Sequence, residues 1–510
     1  MSSHQVFVLV LIQLIILLLP SFGLYKLFQK AGAPAWTAFV PFYNTYVMLS
    51  VAERPKHWVF WQLIPVAGWF ISMGIFVEFV KVFGKFRFWE HALAALVPVI
   101  YFPYLGFDPK VKFTGAGPVR KHRKGTVREW IDAGIFAVVA ATLIRTFVFE
   151  AYVIPTGSME KTLLINDFLF VSKWAYGPRI PMTPLSIPFV HNTLPITDGK
   201  SYLEWIKVPY TRWFPSPVKR GDVVVFNFPA GDTVINLPEY QSLRPYYDVA
   251  RELGRGNLDS GRQIILQNPD QYPLIYRPVD KLENYIKRCV GLPGDTLQIK
   301  DQVIYINGKA QTFPPESETL YLVKTKGQQF DESVMKEDYN IDINNAEEFS
   351  PTGAQNEYMM LLTWGAHEKM LANGLAASII PQIDSTQNVY PYSPDYKWSR
   401  DNYGPMFIPN KGATITLTPV NYPLYERAIR VYEGNTFEMR DGKFYLNGQE
   451  TTHYTFKMNY FWMMGDNRHG SQDSRYWGFV SEDHIVGEAS LIWMSWDKGL
   501  RWKRLFRKIK

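Results

Sequence analysis

Cysteine is almost absent from this chain of 510 residues, which contains only Cys289. A single cysteine cannot form an intrachain disulfide, and this disfavours a small secreted domain that depends on disulfide bonds. We expect Cys289 to be a small buried apolar residue, as free cysteines usually are. Metal-binding and nucleotide-binding motifs are also missing, so we expect no metal and no cofactor.

Neither charge nor hydropathy is extreme, since the formal net charge is +7 and the mean hydropathy is −0.13. A chain with this hydropathy is not embedded in a membrane throughout. Its basic residues cluster at 120–124 and 501–510. Basic runs beside apolar segments are typical of a membrane surface. We therefore expect membrane lipids, and no nucleic acid, among the partners.

Long apolar runs are concentrated in the first 150 residues. A nearly uncharged stretch at 5–25 is long enough to span a bilayer, and further candidate spans lie at 58–80, 91–107 and 130–149. The second and third candidates could instead form a re-entrant or interfacial hairpin. We assign 1–110 as an N-terminal membrane region with about three apolar segments.

The distribution of lysine and arginine predicts the orientation of the last span. The loop 111–128 is rich in both, and basic loops stay on the cytoplasmic side. The anchor helix at 129–150 should therefore run outward, and the rest of the chain should follow outside the cytoplasm. Lys81, Lys85 and Arg87 fit this topology poorly, so the orientation of the earlier segments stays open.

From residue 151 the sequence changes to short β-forming runs separated by Gly, Pro and Asn, which predicts an antiparallel sheet or barrel. Segments 294–308 and 434–448 resemble each other, and each has the pattern of a hairpin that ends in Asn-Gly. They bracket a polar stretch, 309–433, which we interpret as an inserted, non-catalytic β subdomain. The catalytic β domain would then consist of 151–308 and 434–510.

The basic tail has apolar residues at the spacing i, i+3, i+4 and i+7: Trp502, Leu505, Phe506 and Ile509. This spacing predicts a short amphipathic helix. Its apolar face would pack on its own domain or dock on anionic lipid.

Three segments carry candidate catalytic groups: 154–159 (Ile-Pro-Thr-Gly-Ser-Met), 285–295 (beginning Tyr-Ile-Lys-Arg) and the polar segment 465–478 (beginning Gly-Asp-Asn-Arg-His). Amide hydrolysis by serine needs a base for the hydroxyl proton and donors for the oxyanion. Ser158 offers the hydroxyl. Lys287 offers an amine, which acts as a base only if burial lowers its pKa from about 10.4. Each segment alone is weak evidence, since a lysine in an apolar strand is usually a surface residue.

Histidine is the usual base in such sites, but the nine histidines form no recognisable triad around Ser158. His469 lies in the polar segment 465–478 and is the one histidine to consider. Lys287 and His469 are therefore competing candidates at this point.

The order of these segments resembles that of type I signal peptidases, the membrane-bound Ser-Lys proteases of bacteria. The resemblance starts with the anchor helix and continues through 155–159, 220–226, 285–295, 465–478 and 487–489. It implies transmembrane helices followed by a mainly-β extracytoplasmic catalytic domain, with a signal-peptidase-like antiparallel sheet or barrel and an inserted β subdomain.

The resemblance also implies roles for the residues of the site. Ser158 would be the acylated nucleophile and Lys287 the general base. Ser471 would hydrogen-bond the lysine amine and orient it. The oxyanion would be bound by the backbone N–H of Ser158 and the hydroxyl of Thr156.

Two further sets of residues match the family. Asp473 and Arg475 would form a supporting ion pair behind the site. The residues that would line the shallow substrate pockets are Ile154, Pro155, Met159, Leu163, Tyr285 and Ile286. Pockets of this kind accept small residues, which implies cleavage after an A-x-A sequence.

The implied function is a membrane-bound serine endopeptidase that removes signal peptides from exported preproteins through an acyl-enzyme. It would be a multi-pass protein of the bacterial inner membrane with its catalytic domain on the periplasmic side. Signal peptides, membrane lipids and the protein translocation machinery would be its partners. A repressor-type self-cleaving Ser-Lys protease is disfavoured by the apolar segments. A catalytically silent membrane-anchored scaffold is the other alternative, and alanine at Ser158 or Lys287 would distinguish it.

Overall fold

Two units make up the chain, and each has apolar cores of its own. The computed structural model describes residues 3–64, 66–197, 199–229, 231, 233–327 and 330–509. The first unit comprises Met1–Val148 with Gly177–Pro215, and the second comprises Phe149–Tyr176 with Ser216–Lys510.

The first unit is helical. Its helices are α1 (Ser3–Leu18), α2 (Ser21–Lys30), α3 (Tyr43–Val51), α4 (Trp58–Trp61), α5 (Ala67–Lys81), α6 (Phe88–Leu96), α7 (Pro98–Phe107), α8 (Ala116–Lys121) and α9 (Thr126–Phe147). Its main core contains the fully buried side chains Leu27, Phe28, Phe79 and Phe102. Helices α2, α5 and α7 supply these four residues, so these three helices form the centre of the unit.

Helix α9 has the dimensions of a membrane span. Its 22 residues rise about 33 Å, which matches a hydrocarbon core of about 30 Å. None of its residues is buried against protein. Glu129 in the first turn and Arg145 in the last complement the helix dipole. The helix overlaps the anchor predicted at 129–150 but begins and ends three residues earlier.

Among the described residues, α9 is the one helix that is long and apolar enough to cross a membrane alone. Two bent pairs would each add a span if a pair counts as one: part of α1 with α2, bent by 48°, and α6 with α7, bent by 117°. The latter bend agrees with the hairpin alternative for 91–107. The candidate span at 58–80 is not one helix, because α4 ends at Trp61 and α5 begins at Ala67. The intervening sequence contains Pro65, and proline lacks the N–H that a continuous helix needs.

The second unit is mainly β. Its first strands are β1 (Phe149–Val153), β2 (Asp167–Ser172), β3 (Val223–Asn227), β4 (Thr233–Ile235), β5 (Leu274–Tyr276), β6 (Asn284–Gly291), β7 (Thr296–Lys300), β8 (Val303–Ile306) and β9 (Lys309–Ala310). The next are β10 (Glu318–Thr325), β11 (Phe349–Pro351), β12 (Glu357–Thr363) and β13 (Ala376–Pro381). The last are β14 (Tyr403–Phe407), β15 (Thr414–Thr416), β16 (Phe437–Arg440), β17 (Lys443–Leu446), β18 (Gln449–Thr451), β19 (His453–Thr455), β20 (Tyr460–Met464), β21 (Val480–Ser481), β22 (Ile485–Ser495) and β23 (Arg507–Lys508). The helices of this unit are α10 (Tyr246–Leu253), α11 (Leu258–Gln267), α12 (Glu332–Asp338), α13 (Trp364–Ala372), α14 (Tyr422–Arg427) and α15 (Ser474–Trp477).

A central antiparallel sheet has the strand order β1-β2-β22-β3-β6-β20-β21, with β23 also beside β22. Every residue of β3 is buried. Val223 and Val225 belong to one core, whereas Val224 and Phe226 belong to another that includes Cys289. A strand covered on both faces needs apolar residues at every position, which explains the Val-Val-Val-Phe sequence. The mainly-β antiparallel fold predicted after residue 151 is confirmed.

A separate four-stranded sheet, β11-β12-β10-β13, lies within the stretch predicted as an insertion. With α12 and α13 it encloses its own core around Tyr321, Met335, Leu362 and Met370. The later part of 309–433 belongs elsewhere, because β14 pairs with β7. The interpretation of 309–433 as one non-catalytic insertion stays a prediction.

Both hairpins predicted from the internal repeat are present, since β7 pairs with β8 and β16 pairs with β17. Asp301 and Gln302 at the first turn have positive φ, as do Asp441 and Gly442 at the second. Two-residue hairpin turns of this type require that conformation.

The predicted amphipathic helix of the tail is wrong. A 3₁₀ turn, Trp502–Arg504, is followed by β23, which pairs with β22 beyond the end of β3. Arg504 is buried, and its Nε donates to Asp167 Oδ1 at 3.1 Å. Pairing with the open edge of β22 and this buried ion pair hold the tail in place. These contacts stabilise the observed conformation more than the apolar spacing of the tail stabilises a helix.

Candidate active site

The side chains of Ser158 and Lys287 meet at the centre of the candidate site. Ser158 lies in a 3₁₀ turn, Gly157–Met159, shortly after β1, and Lys287 lies on β6. Lys287 Nζ donates to Ser158 Oγ at 2.6 Å and to Ile286 O at 2.9 Å. A serine hydroxyl in contact with an amine is the arrangement that nucleophilic catalysis requires, provided the amine is neutral.

The environment of Lys287 favours the neutral amine. Its side chain is 2% exposed. Burial lowers the pKa of Lys287 to about 8, although the carboxylates of Asp473 and Asp466 oppose the shift. At pH 7 about a tenth of the molecules therefore carry a neutral lysine, compared with fewer than about one in a thousand for an exposed one.

Ser471 lies beside the 3₁₀ turn that carries Ser158, but it lacks the hydrogen bond to Lys287 that was expected of it. It is buried, and its Oγ donates to Gln472 O at 3.4 Å. No hydrogen bond from Ser471 to Lys287 is present among the described residues. A Cβ atom at Gly465 would lie 2.2 Å from Ser471 Oγ and 2.5 Å from Ser158 O, so both are close to this glycine. The role of Ser471 in orienting the lysine stays a prediction.

The segment after β20 holds the turn that carries Ser158 in place. Asn467 donates from its backbone N to Ser158 O at 3.2 Å and from Nδ2 to Gly157 O at 3.3 Å. The backbone N of Gly465 donates to Asp473 Oδ2 at 3.1 Å. This segment, 465–468, is referred to below as the support loop.

Asp473 and Arg475 form the ion pair that the resemblance implied. Arg475 Nε and Nη2 donate to the two carboxylate oxygens at 2.9 and 2.8 Å, and both side chains are almost completely buried. Arg475 Nη2 also donates to Arg468 O at 2.6 Å. The pair therefore fixes both ends of the support loop, through Gly465 and Arg468.

Sequence reasoning missed a second buried ion pair, between Arg288 and Asp466. Arg288 Nε and Nη2 donate to Asp466 Oδ1 and Oδ2 at 2.8 and 2.6 Å. Thr162 Oγ1 donates to Asp466 Oδ2 at 2.6 Å and so ties the segment that follows Ser158 to the same carboxylate. The signal was present, because an arginine next to the lysine and an aspartate in the polar segment 465–478 were both visible in the sequence.

The other site residues from the sequence fall into two groups. Ile154, Met159 and Leu163 are buried in one apolar core, and Ile286 packs against it. Tyr285 packs in the other core, and its ring centre lies 5.6 Å from Lys287 Nζ. Pro155 and Thr156 are exposed and lie just before the turn that carries Ser158.

His469 is engaged elsewhere. Its Nε2 lies 3.0 Å from Asp401 Oδ2, and its Nδ1 lies 3.5 Å from Thr319 Oγ1. None of its hydrogen bonds in the described part of the chain involves Ser158. The geometry therefore favours Lys287 over His469 as the base. The residues that the structure describes contain no group of His, Cys, Asp and Glu arranged to hold a metal ion.

We expect Gly465→Ala to slow turnover by about 10²-fold, because a displacement of about 1 Å at reacting groups has effects of that size. The new methyl group has no space between Ser471 and the carbonyl of Ser158. The measurement is kcat on a peptide substrate. Gly499→Ala is the matched control, since its Cβ has no neighbour within 4 Å. Equal kcat values for the two variants would contradict this account.

A comparison with protein families finds a known family whose match covers the candidate site. The family described as "Signal peptidase, peptidase S26" matches residues 127–361 and 451–496, more than half of the chain. The matched ranges include Ser158, Lys287 and Ser471. A family of unknown function matches residues 36–116 in the helical unit.

Curated relatives carry the same description. Signal peptidase I of Haemophilus influenzae is 26% identical over 386 residues, covering 74% of this chain and 75% of the relative. Signal peptidase I of Buchnera aphidicola is 26% identical over 364 residues, covering 71% and 73%. Signal peptidase I of Rickettsia canadensis is 30% identical over a shorter region of 186 residues, covering 36% and 45%.

Proposed function

Because the chain belongs to the signal peptidase family, peptidase S26, we propose that it removes signal peptides from preproteins with Ser158 as nucleophile and Lys287 as general base. The distance of 2.6 Å between Lys287 Nζ and Ser158 Oγ carries the proposal. The burial of the amine supports it, since a base must be neutral before it can accept a proton.

In the acylation step, Lys287 takes the proton of Ser158, and Oγ forms a bond to the carbonyl carbon of the scissile amide. The oxyanion accepts hydrogen bonds from the Ser158 N–H and the Thr156 hydroxyl. The lysine ammonium then gives its proton to the leaving nitrogen, and the C–N bond breaks. An ester between Ser158 and the signal peptide remains.

In the deacylation step, Lys287 accepts a proton from water, and the water oxygen attacks the ester carbonyl. The ester bond breaks, and the proton returns to Ser158 Oγ. The signal peptide leaves with a carboxylate terminus, and the enzyme regains its starting state. Ser471 would keep the amine aimed at Oγ during both steps.

The substrate would bind as an additional strand beside β6. Residues Asn284–Arg288 of β6 pair with β3 on one side, whereas β20 pairs on the other side only from Arg288 onward. Among the described residues no strand pairs with the far side of 284–287, so an extended peptide could add there, next to Ile286 O, which already accepts from Lys287 Nζ. Small side chains, as in A-x-A, would fit the shallow pockets lined by Ile154, Pro155, Met159, Leu163, Tyr285 and Ile286.

The chain distance between helix and nucleophile suits a substrate that is itself anchored in a membrane. Helix α9 ends at Phe147, and Ser158 follows only eleven residues later. We place the protein in the bacterial inner membrane as a multi-pass protein, with the loop 111–128 in the cytoplasm and the catalytic domain on the periplasmic side. Its partners would be signal peptides, membrane lipids and the translocation machinery.

The test is cleavage of a preprotein with an A-x-A site by the purified full chain in detergent. We expect the wild type to release the mature protein and Ser158→Ala to release none, because the variant has no atom that can be acylated. Cleavage by a folded, contaminant-free Ser158→Ala variant would exclude Ser158 as nucleophile. Inactivity of a folded wild type would favour the alternative of a membrane-anchored scaffold.

A further inference from the structure

Glu318 is a buried carboxyl group that the proposed mechanism does not use. It is the first residue of β10, in the separate sheet, and its exposed fraction is 0%. Neither of its side-chain oxygens has a hydrogen-bond partner in the described part of the chain. A buried polar group without a partner is costly and therefore requires an explanation.

The backbone of Glu318 is bonded to the support loop. Its N–H donates to Asp466 O at 2.9 Å, and its carbonyl accepts from the N–H of Arg468, also at 2.9 Å. These two bonds flank Asn467, which holds the carbonyl of Ser158. The separate sheet thus contacts the support loop on both sides of Asn467, and Asn467 in turn contacts Ser158.

The charged groups that face the Glu318 side chain come from three segments. Glu160 and Lys161 follow Ser158 closely, Glu348 lies in the turn just before β11, and Asp466 lies on the support loop. Lys161 Nζ is already bonded to Glu348 Oε2 at 2.9 Å. Asp466 is already paired with Arg288. An ionised Glu318 would therefore face three carboxylates and one lysine, Lys161, whose amine is already bonded to Glu348.

Burial is the main cause that raises the pKa of Glu318 to about 8. Lys161 opposes this shift, and the carboxylates of Glu160, Glu348 and Asp466 add to it. Glu318 is therefore neutral at pH 7 and becomes charged as the pH rises through about 8.

We propose that Glu318 is a positioning residue: as a neutral acid it lets β10 hold the support loop against the nucleophile, and its ionisation releases the loop. A carboxylate at this position repels Asp466 and draws water into the contact, so the bonds to Asp466 and Arg468 open. The separate sheet would thus limit activity at alkaline pH. This consequence for activity rests on the proposed function, whereas the loosening of the loop does not.

The first test compares the pH dependence of kcat/KM for the full-length wild type, Glu318→Gln and Glu316→Gln in detergent. Glu316 is the matched control, because it lies two residues away and is 43% exposed. We expect kcat/KM of the wild type and of Glu316→Gln to fall about tenfold or more between pH 8 and 9.5. The kcat/KM of Glu318→Gln should fall less than about twofold over the same range, since its amide does not ionise. The same fall in all three proteins overturns the proposal.

The second test needs no variant and no activity. Amide hydrogen exchange of the support loop in the wild type, corrected for the intrinsic effect of pH, measures whether its bonds to Glu318 open. We expect protection of residues 466–468 to fall at least about tenfold between pH 7 and 9.5, while the hairpin β7–β8 keeps its protection. Constant protection of the loop overturns the proposal. If the loop loosens but no preprotein is cleaved at any pH, the proposed function fails and the role of Glu318 in holding the loop stands.

Discussion

Lys287→Met is expected to lower the rate of preprotein cleavage by at least about 10³-fold, within the range attributed to a general base. Methionine retains most of the length and apolar volume of the lysine but has no amine. Ser158 then loses the only base that contacts its hydroxyl among the described residues. The measurement is single-turnover cleavage of a preprotein in detergent. Cleavage at even a tenth of the wild-type rate would exclude Lys287 as the base.

Wild-type activity is expected to fall as the pH decreases, because the proposed base is a lysine. Only the neutral amine accepts a proton, and burial lowers the pKa of Lys287 to about 8. kcat/KM should therefore fall about tenfold for each pH unit below about 8. A profile that is flat between pH 6 and 8 would contradict this assignment.

Lys287→Met should be more stable than the wild type at neutral pH. This comparison of stability also serves as the folding control for the variant. The pKa of Lys287 is lower in the folded protein than its usual value of 10.5, so the unfolded chain binds more protons between about pH 8 and 10.5. Wild-type stability therefore rises with pH through that window. At pH 7 the buried lysine costs about 3 kcal/mol, which methionine removes. Thermal unfolding should show a higher Tm for Lys287→Met, and a lower Tm would mean that the loss of activity reflects misfolding.

Asp473→Ala is expected to have the largest effect on stability, about 3–5 kcal/mol of unfolding free energy. It leaves the guanidinium of Arg475 buried without its carboxylate and removes the acceptor for the N–H of Gly465. Urea unfolding of the second unit measures the loss. Glu450→Ala is the control, because Glu450 forms an ion pair with Lys443 that is largely exposed and should contribute no more than about 0.5 kcal/mol. Similar losses for the two variants would contradict this interpretation of the buried pair.

The contribution of Asp473 should also depend on pH. Burial alone would raise the pKa of Asp473, but Arg475 and the backbone donors of Gly465 and Arg475 outweigh burial and lower it. A carboxyl group with a lowered pKa stabilises the fold above its unfolded pKa, near 3.8, and this contribution is lost as the pH falls through the folded value. The difference in stability between wild type and Asp473→Ala should therefore be full at pH 7 and shrink in strong acid.

The sequence predicted best where function depends on short local segments. Ser158 and Lys287 were named as candidates from segments of six and eleven residues, whose order resembles that of type I signal peptidases, and their side chains are in contact. Short β-forming runs separated by Gly, Pro and Asn predicted the antiparallel sheet, which is also a local pattern. The anchor helix was likewise visible, since its length and composition are set by the bilayer alone.

The sequence predicted poorly where a contact depends on residues far away along the chain. The tail has helical spacing, yet it extends along β22, whose open edge no local pattern reveals. The candidate span at 58–80 differs for a local reason, because α4 ends at Trp61, α5 begins at Ala67, and the intervening Pro65 is hidden only by averaging the hydropathy. Glu318 meets Asp466 from 148 positions away, and nothing in the local sequence of either residue indicates that contact.

Cys289 lies two residues beyond Lys287 on the same strand, and its thiol is completely buried. Burial also raises the pKa of this thiol well above its usual value, so it stays protonated and unreactive. A maleimide can alkylate it only when β6 separates from its neighbours. Cys289 thus reports on the opening of β6, the strand that carries Lys287, because its rate of alkylation depends on how often that strand opens. No label has to be engineered for this measurement.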